Sequence, residues 1–202
     1  MRFFLVFISL FLISKPVFGE VPKESLKYKR DLIRHSRIIW GLNAPVPLFA
    51  AQIHQESSWN HLAKSKYAEG LSQFTGSTAE WIIKIFPELE DANVYNPIWS
   101  IRAMLLYDTW LNERISSSGE CNQWAMILSS YNGGLTWLNM DKEITKNNNK
   151  DPETWWNNVE NYSSRANWAY QENRDYPKKI IFLHQPKYLN WGGKHICGDL
   201  SK

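Results

Sequence analysis

Apolar residues recur at helical spacing through most of this chain, and the period-two alternation of a half-buried strand is nearly absent. Ser25 to Trp40 carries Leu26, Leu32, Ile33, Ile38 and Ile39 among lysines and arginines, which predicts an amphipathic helix. A second helix is predicted from Pro45 and Pro47, residues suited to a helix start, with Asn43 as candidate cap. In it Phe49, Ile53 and Glu56 share one face. Residues 61–70 read as a loop. A short helix is expected around Ala79 to Ile83, with Ser77 or Thr78 near its cap. Asn96-Pro97 opens a longer one, periodic through Ile115, and Asn122 to Tyr131 forms another that Gly133-Gly134 closes. Residues 139–153, polar and containing Asn147-Asn148-Asn149 and Asp151-Pro152, predict a loop. Residues 166–181 read as partly helical, and the tail around Trp191-Gly192-Gly193 as irregular. The expected fold class is all-α, mostly helical, with a small hairpin as an option in the 61–75 region.

The first residues have the pattern of an export signal. Arg2 is followed by an apolar run, Phe3 to Ile13, of eleven residues, against the roughly 20 that a membrane-spanning helix needs. Lys15-Pro16 breaks the run and Gly19 suits a signal peptidase. The expectation is a signal peptide over 1–19, cleaved near Gly19, and one domain over 20–202 in an exported, periplasmic protein. Its removal leaves 183 of the 202 residues, enough for one core. Arg2 and Lys15 leave with it, so the formal charge falls from +3 to +1. A near-neutral chain is not a polybasic nucleic-acid binder. Cys121 and Cys197 are the two cysteines. An even pair in an oxidising compartment predicts a disulfide that ties the tail to the body. Neither cysteine has a ligand neighbour at useful spacing and no histidine cluster appears, so neither metal nor cofactor is expected.

Glu56 ends the second helix on a face shared with core residues. A lone glutamate on a helix is ordinarily a solvated charge. This one is followed by Ser57, by Ser65, and by Gly70-Leu71-Ser72-Gln73-Phe74. Further blocks are Ser130-Tyr131-Asn132-Gly133-Gly134 and Glu172-Asn173-Arg174-Asp175-Tyr176-Pro177-Lys178-Lys179-Ile180. The first resembles the Glu-Ser … Ser … Gly-Leu-Met-Gln signature of the soluble lytic transglycosylases. The others are similar to that family's Ala-Tyr-Asn-Ala-Gly and Glu-Thr-Arg-x-Tyr-Val-x-Lys-Ile segments. Asn96-Pro97 with Ser100-Ile101-Arg102-Ala103 echoes its Asp-Pro-x-x-Asn-Ile helix. Each block is weak alone; the order of all of them carries the resemblance, which spans roughly Pro47 to Ile181. The departures are a shortened loop before Gly70, Ser72 for Met, Gly76 for Pro, and a longer segment between Gly134 and Glu172. A competing alignment puts the last block at Glu153-Thr154, but Asn157 then occupies the tyrosine position.

The resemblance implies a lysozyme-like domain acting on peptidoglycan, with Glu56 as the single acid and base. The glutamate would protonate the leaving glycosidic oxygen, then take the proton of the 6-hydroxyl of N-acetylmuramic acid as a 1,6-anhydro ring closes. Burial against apolar neighbours such as Ile53 would raise its pKa, as in the lysozyme case. Tyr176 would orient Glu56. Gln73, Tyr131 and Asn132, with Ser57 beside the glutamate, would contact the sugar. The plain structural alternatives are a core Tyr131, a helix-end Asn132, a loop-bracing Gln73 and a strut-like Ser57. Glu69, Glu80 and Asp108 are expected to be solvated charges, with Glu69 nearest to Glu56. Some of the 11 tryptophans would line a sugar groove and many the core. Two further readings stay open: a goose-type-like muramidase that hydrolyses the same bond with a second carboxylate, and a non-catalytic wall-binding or secretion-apparatus scaffold. The expected partners are glycan strands and an envelope-spanning machine, with the protein itself a monomer.

Overall fold

The computed structural model describes residues 20–90 and 93–198; the expected signal segment lies outside the described residues. Among the described residues seven α-helices follow one another: α1 (Ser25–Trp40), α2 (Val46–Ser57), α3 (Gly76–Ile85), α4 (Pro97–Asn112), α5 (Glu120–Gly133), α6 (Leu135–Asn147) and α7 (Asn167–Lys178). The chain then continues through a π-helical stretch, Lys179–His184, and a 3-10 stretch, Gln185–Trp191. Among the described residues no strand forms, only isolated bridges pairing Glu69 with Lys64 and with Phe74. The optional hairpin is thus a braced loop. No helix among the described residues is long and apolar enough to cross a membrane.

Helix α2 is the axis of the domain. Every residue from Val46 to Ile53 is buried. A helix apolar on all sides must be surrounded, and α1, the π-helical stretch and the 3-10 stretch do so. Helix α5 is enclosed in the same way, with Trp124 to Ser130 buried and α4, α6 and α7 around it. Trp40, Phe49 and Trp124 meet where α1, α2 and α5 converge, with centroids 4.9–5.5 Å apart. Each large apolar side chain so buried contributes about 1.5–3 kcal/mol.

Local caps differ slightly from expectation. Pro45, not Asn43, precedes α2, and Thr75, not Ser77 or Thr78, caps α3 by accepting the Thr78 amide at 3.1 Å. Asn96 caps α4 by accepting the Ile98 and Trp99 amides. The larger correction is at 139–153. Most of that predicted loop is helix α6, whose buried face is Leu138, Asp141 and Thr145. Two of these three are polar, so the face carries no hydrophobic period. Asp141 is satisfied from outside the helix, by Arg165 at 3.1 Å and Arg174 at 3.0 Å.

Cys121 and Cys197 form a disulfide across 76 residues of sequence, joining the start of α5 to the tail. The tail also packs by Gln185, which bonds both the amide and the carbonyl of Ile196 at 2.9 Å. Closing a loop of that length stabilises by about 4 kcal/mol in the chain-entropy model. Cys121→Ser should therefore lower unfolding free energy by about 2–4 kcal/mol in denaturant titrations; an unchanged midpoint would show that the tail is held without the bridge.

Candidate active site

The last turn of α2 opens onto a cavity of about 480 Å³. Ser58 and Trp59, both left-handed with φ 49° and 68°, turn the chain sharply away after Ser57. Non-glycine residues hold that conformation only where the surroundings impose it. Here the Trp59 side chain is fully buried and its indole donates to the Tyr188 hydroxyl at 2.8 Å. The helix end carrying Glu56 is thereby fixed.

The far wall is the 63–74 loop. Gly70 has φ +80°, and a Cβ there would sit 1.9 Å from the Val94 carbonyl oxygen, so only glycine fits. Gln73 uses its amide nitrogen to brace this loop, donating to Gly70 O at 2.9 Å and Ala63 O at 3.2 Å, while also lining the cavity. Ser57 is a strut: its hydroxyl donates to Leu71 O at 2.7 Å, and it is not among the cavity-lining residues. Ser72, where the resembled family has Met, is fully buried and donates to Ser100 O at 3.1 Å. Its carbonyl accepts the Tyr131 hydroxyl at 2.8 Å. Tyr131 lines the cavity from α5, with Phe74 and Tyr107 rings against it. Asn132 follows at the rim, its Oδ1 accepting from Asn173 Nδ2 at 3.1 Å.

Helix α7 supplies Tyr176, whose buried hydroxyl donates to Glu56 Oε1. That contact joins residues 120 apart in sequence. It depends on how α7 is seated. Asn173 bonds the Ser129 hydroxyl and carbonyl on α5, each at 2.8 Å. Arg174 donates to Asp141 and to the carbonyls of Val159, Glu160 and Tyr162. It also donates to Asn173 Oδ1, and a buried guanidinium spread over five acceptors locks both the rotation and the translation of its helix. Asn157, the competing tyrosine equivalent, instead lies in the 151–161 turn, its amide bonded to Glu160.

Burial pushes the Glu56 carboxyl up to about 8 from 4.5; the Tyr176 hydrogen bond works against this, and the charge of Glu172 adds to it. Glu172 is the residue sequence reasoning passed over. It lies one turn before Tyr176 on α7 and lines the same cavity as Glu56. The i, i+4 spacing was the available signal. Glu69, by contrast, is paired with Lys64 at 2.6 Å, is held below the usual carboxylate range by Lys64 and Tyr95, and does not line the cavity. Glu80 is exposed as expected. Asp108 is not: it is fully buried on α4, accepts from Gln52 Nε2 at 3.3 Å, and burial raises its pKa well above the ordinary range. As a neutral acid it can complete a reciprocal pair with Gln52, since Asp108 Oδ2 and Gln52 Oε1 both lack other partners among the described residues. Among the described residues no group of three His, Cys, Asp or Glu side chains could hold a metal ion.

A helical domain with an acid held neutral at the floor of an aromatic-walled cleft has the layout of a lysozyme-like, glycan-cleaving protein. A family model described as the Transglycosylase SLT domain matches residues 38–155, more than half of the chain, and the chain belongs to that family. Lytic transglycosylase activity and action on peptidoglycan are what this family indicates in general. No curated protein matches the chain. The matched region contains Glu56, Gln73, Tyr131 and Asn132 but ends before α7, so Glu172 and Tyr176 join the site from outside it.

The raised pKa has a consequence for stability. Below pH 4.5 folded and unfolded chains both keep the Glu56 proton; from there to about 8 the unfolded chain releases it while the folded one retains it. The stability contributed by the neutral acid is thus complete below 4.5 and lost as pH rises through 8. Glu56→Gln should gain in Tm over the parent as pH rises across that window, and a Tm difference that is the same at both ends would contradict the raised pKa.

Proposed function

We propose that this protein is an exported lytic transglycosylase that cleaves the β-1,4 bond between N-acetylmuramic acid and N-acetylglucosamine, with Glu56 as sole acid and base. The observation that carries the reading is the Glu56 carboxyl, kept protonated near neutral pH at the floor of the cleft and oriented through Oε1 by Tyr176. Oε2 is then the atom that bears the proton.

The neutral acid gives its proton to the leaving oxygen as the bond from that oxygen to the anomeric carbon breaks. The muramoyl 6-hydroxyl oxygen attacks the same carbon, and its proton passes to the Glu56 carboxylate. The acid is regenerated and a 1,6-anhydro ring is left on the product. A nucleophile already attached to the substrate competes with water through effective molarity. A carboxylate whose conjugate acid has a pKa near 8 is also a competent base for the second step. Tyr131 and Asn132 on one wall and Gln73 on the other contact the sugar.

Export through a signal peptide over residues 1–19, a single domain from residue 20 to 202, a periplasmic location and a monomeric state complete this reading. A domain of this size suits local opening of the wall for an envelope-spanning secretion or assembly machine. The disulfide fits an oxidising compartment.

One observation favours a second reading. Glu172 shares the cavity with Glu56, and a second carboxylate could activate water for a goose-type muramidase. Product mass separates the two, because the anhydro product is one water lighter than the hydrolysed one. Under the transglycosylase reading, Glu56→Gln loses wall-cleaving activity by several orders of magnitude while staying folded, and Glu172→Gln stays within about tenfold, since losing a general base costs roughly 10²–10⁴. Reducing-end products as the majority species, with a large loss in Glu172→Gln, would establish the hydrolase instead. Wall cleavage by Glu56→Gln within tenfold of the parent would remove Glu56 from the mechanism, and a folded parent inert towards wall would mark the scaffold.

A further inference from the structure

The segment between Gly134 and Glu172 does more than connect. After α6 it runs through the 151–161 turn and delivers Arg165, Ala166 and Trp168 to the side of the catalytic cleft. With Trp137 from α6 these residues enclose a second cavity of about 400 Å³, which shares Asn132 and Glu172 with the catalytic one. Two tryptophans stand at this cavity with their indoles in solvent: Trp168 is 74% and Trp137 38% exposed. Large apolar side chains this exposed, side by side in a concave site, point to a ligand.

The floor is polar and rigid. Arg165 is almost fully buried and anchored to Asp141 at 3.1 Å and to Asn173 Oδ1. Its guanidinium lies 5.4 Å from the centre of the Trp137 ring, which holds that indole in place. Asp141 serves both Arg165 and Arg174, so one carboxylate answers two guanidinium groups. Arg165 Nη2 has no hydrogen-bond partner among the described residues. A buried donor left unpaired costs about 1–3 kcal/mol, which an acceptor oxygen on a ligand can recover. Arg165 and Trp168 lie beyond the stretch that the family model matches.

We propose that this pocket is an accessory sugar subsite that takes a pyranose unit of the same glycan strand beyond the pair at Glu56. The inference rests on the transglycosylase reading. Indole faces stack on the apolar faces of pyranose rings, and the N-acetyl oxygen is an acceptor for the Arg165 donor. Continuity through Asn132 and Glu172 sets the occupant: a strand leaving the catalytic cavity on that side enters this one. The subsite makes long strands better ligands than short fragments.

The test uses the full mature chain carrying Glu56→Gln, so that no turnover occurs, with N-acetylglucosamine oligomers of two and of five units as probes. Affinity is measured by calorimetry, and the indole N–H signals of Trp137 and Trp168 are assigned and followed by NMR. The five-unit oligomer should shift both signals and bind more tightly than the two-unit one. Trp168→Ala should weaken five-unit binding by about tenfold, the order expected for one aromatic contact. Trp168 is largely exposed, so its truncation leaves the fold intact. Five-unit binding that leaves both indole signals unmoved, or that is unchanged in Trp168→Ala, would overturn the subsite. So would a Trp168→Ala defect in wall cleavage confined to peptide-bearing strands and absent on strands stripped of peptide, since the pocket would then read the stem peptide. Wall cleavage by the parent protein separates the two failures: active parent with unaffected Trp168→Ala sinks the subsite alone, whereas a parent that neither binds oligomers nor cleaves wall sinks the transglycosylase reading.

Discussion

A carboxyl group taken out of water costs free energy when charged and far less when neutral, and this fold is arranged around that difference. Glu56 lies in the last turn of a helix whose first eight residues, Val46 to Ile53, are all buried. Its Oε1 meets one hydroxyl, that of Tyr176, rather than a cation. An arginine in place of that tyrosine would have held the group ionised. The neighbouring charge is instead another carboxylate, Glu172, which adds to the preference for the proton. The buried aromatic packing, the left-handed turn at Ser58 and Trp59, and the seating of α7 all serve to hold an uncharged acid at the bottom of an open cleft.

The helix that completes the site is fixed by polar contacts more than by apolar ones. Arg174, Asn173 and Asp141 are buried, and Arg174 bonds both of the others. Buried polar networks of this kind are costly when broken and directional when whole. That direction matters here, because a slide of α7 would move Tyr176 off Glu56. The same network supports Arg165, so the chemistry at Glu56 and the aromatic pocket beside it share a foundation.

Most of the helices were legible in the sequence because their buried faces are apolar. Helix α6 was not, because its buried face includes Asp141 and Thr145, and periodicity read from hydrophobicity cannot see a polar face that the rest of the chain satisfies. Asp108 misled for the same reason: it reads as a charge, yet it falls between Met104 and Leu111 on the core side of α4 and is kept neutral there. Within the site, the order of the motif blocks brought Glu56, Gln73, Tyr131, Asn132 and Tyr176 to one place. Ser57, adjacent in sequence, turned out to brace a loop, because neighbours on a helix point in different directions. Glu172 was readable from its i, i+4 spacing to Tyr176, whereas the Trp137–Trp168 pocket brings together side chains from α6 and α7, a tertiary fact that no local spacing in the 135–171 segment encodes.

The proposed mechanism turns on the protonation state of one group, and that state can be read directly. Carbon-13 labelling of the glutamate side chains, with Glu56→Gln used to assign the signal, gives the titration of the Glu56 carboxyl in the folded protein. The expected midpoint is near 8. A midpoint at the ordinary value of about 4.5 would show a solvated, ionised carboxylate at neutral pH, and the single-acid mechanism would fall with it.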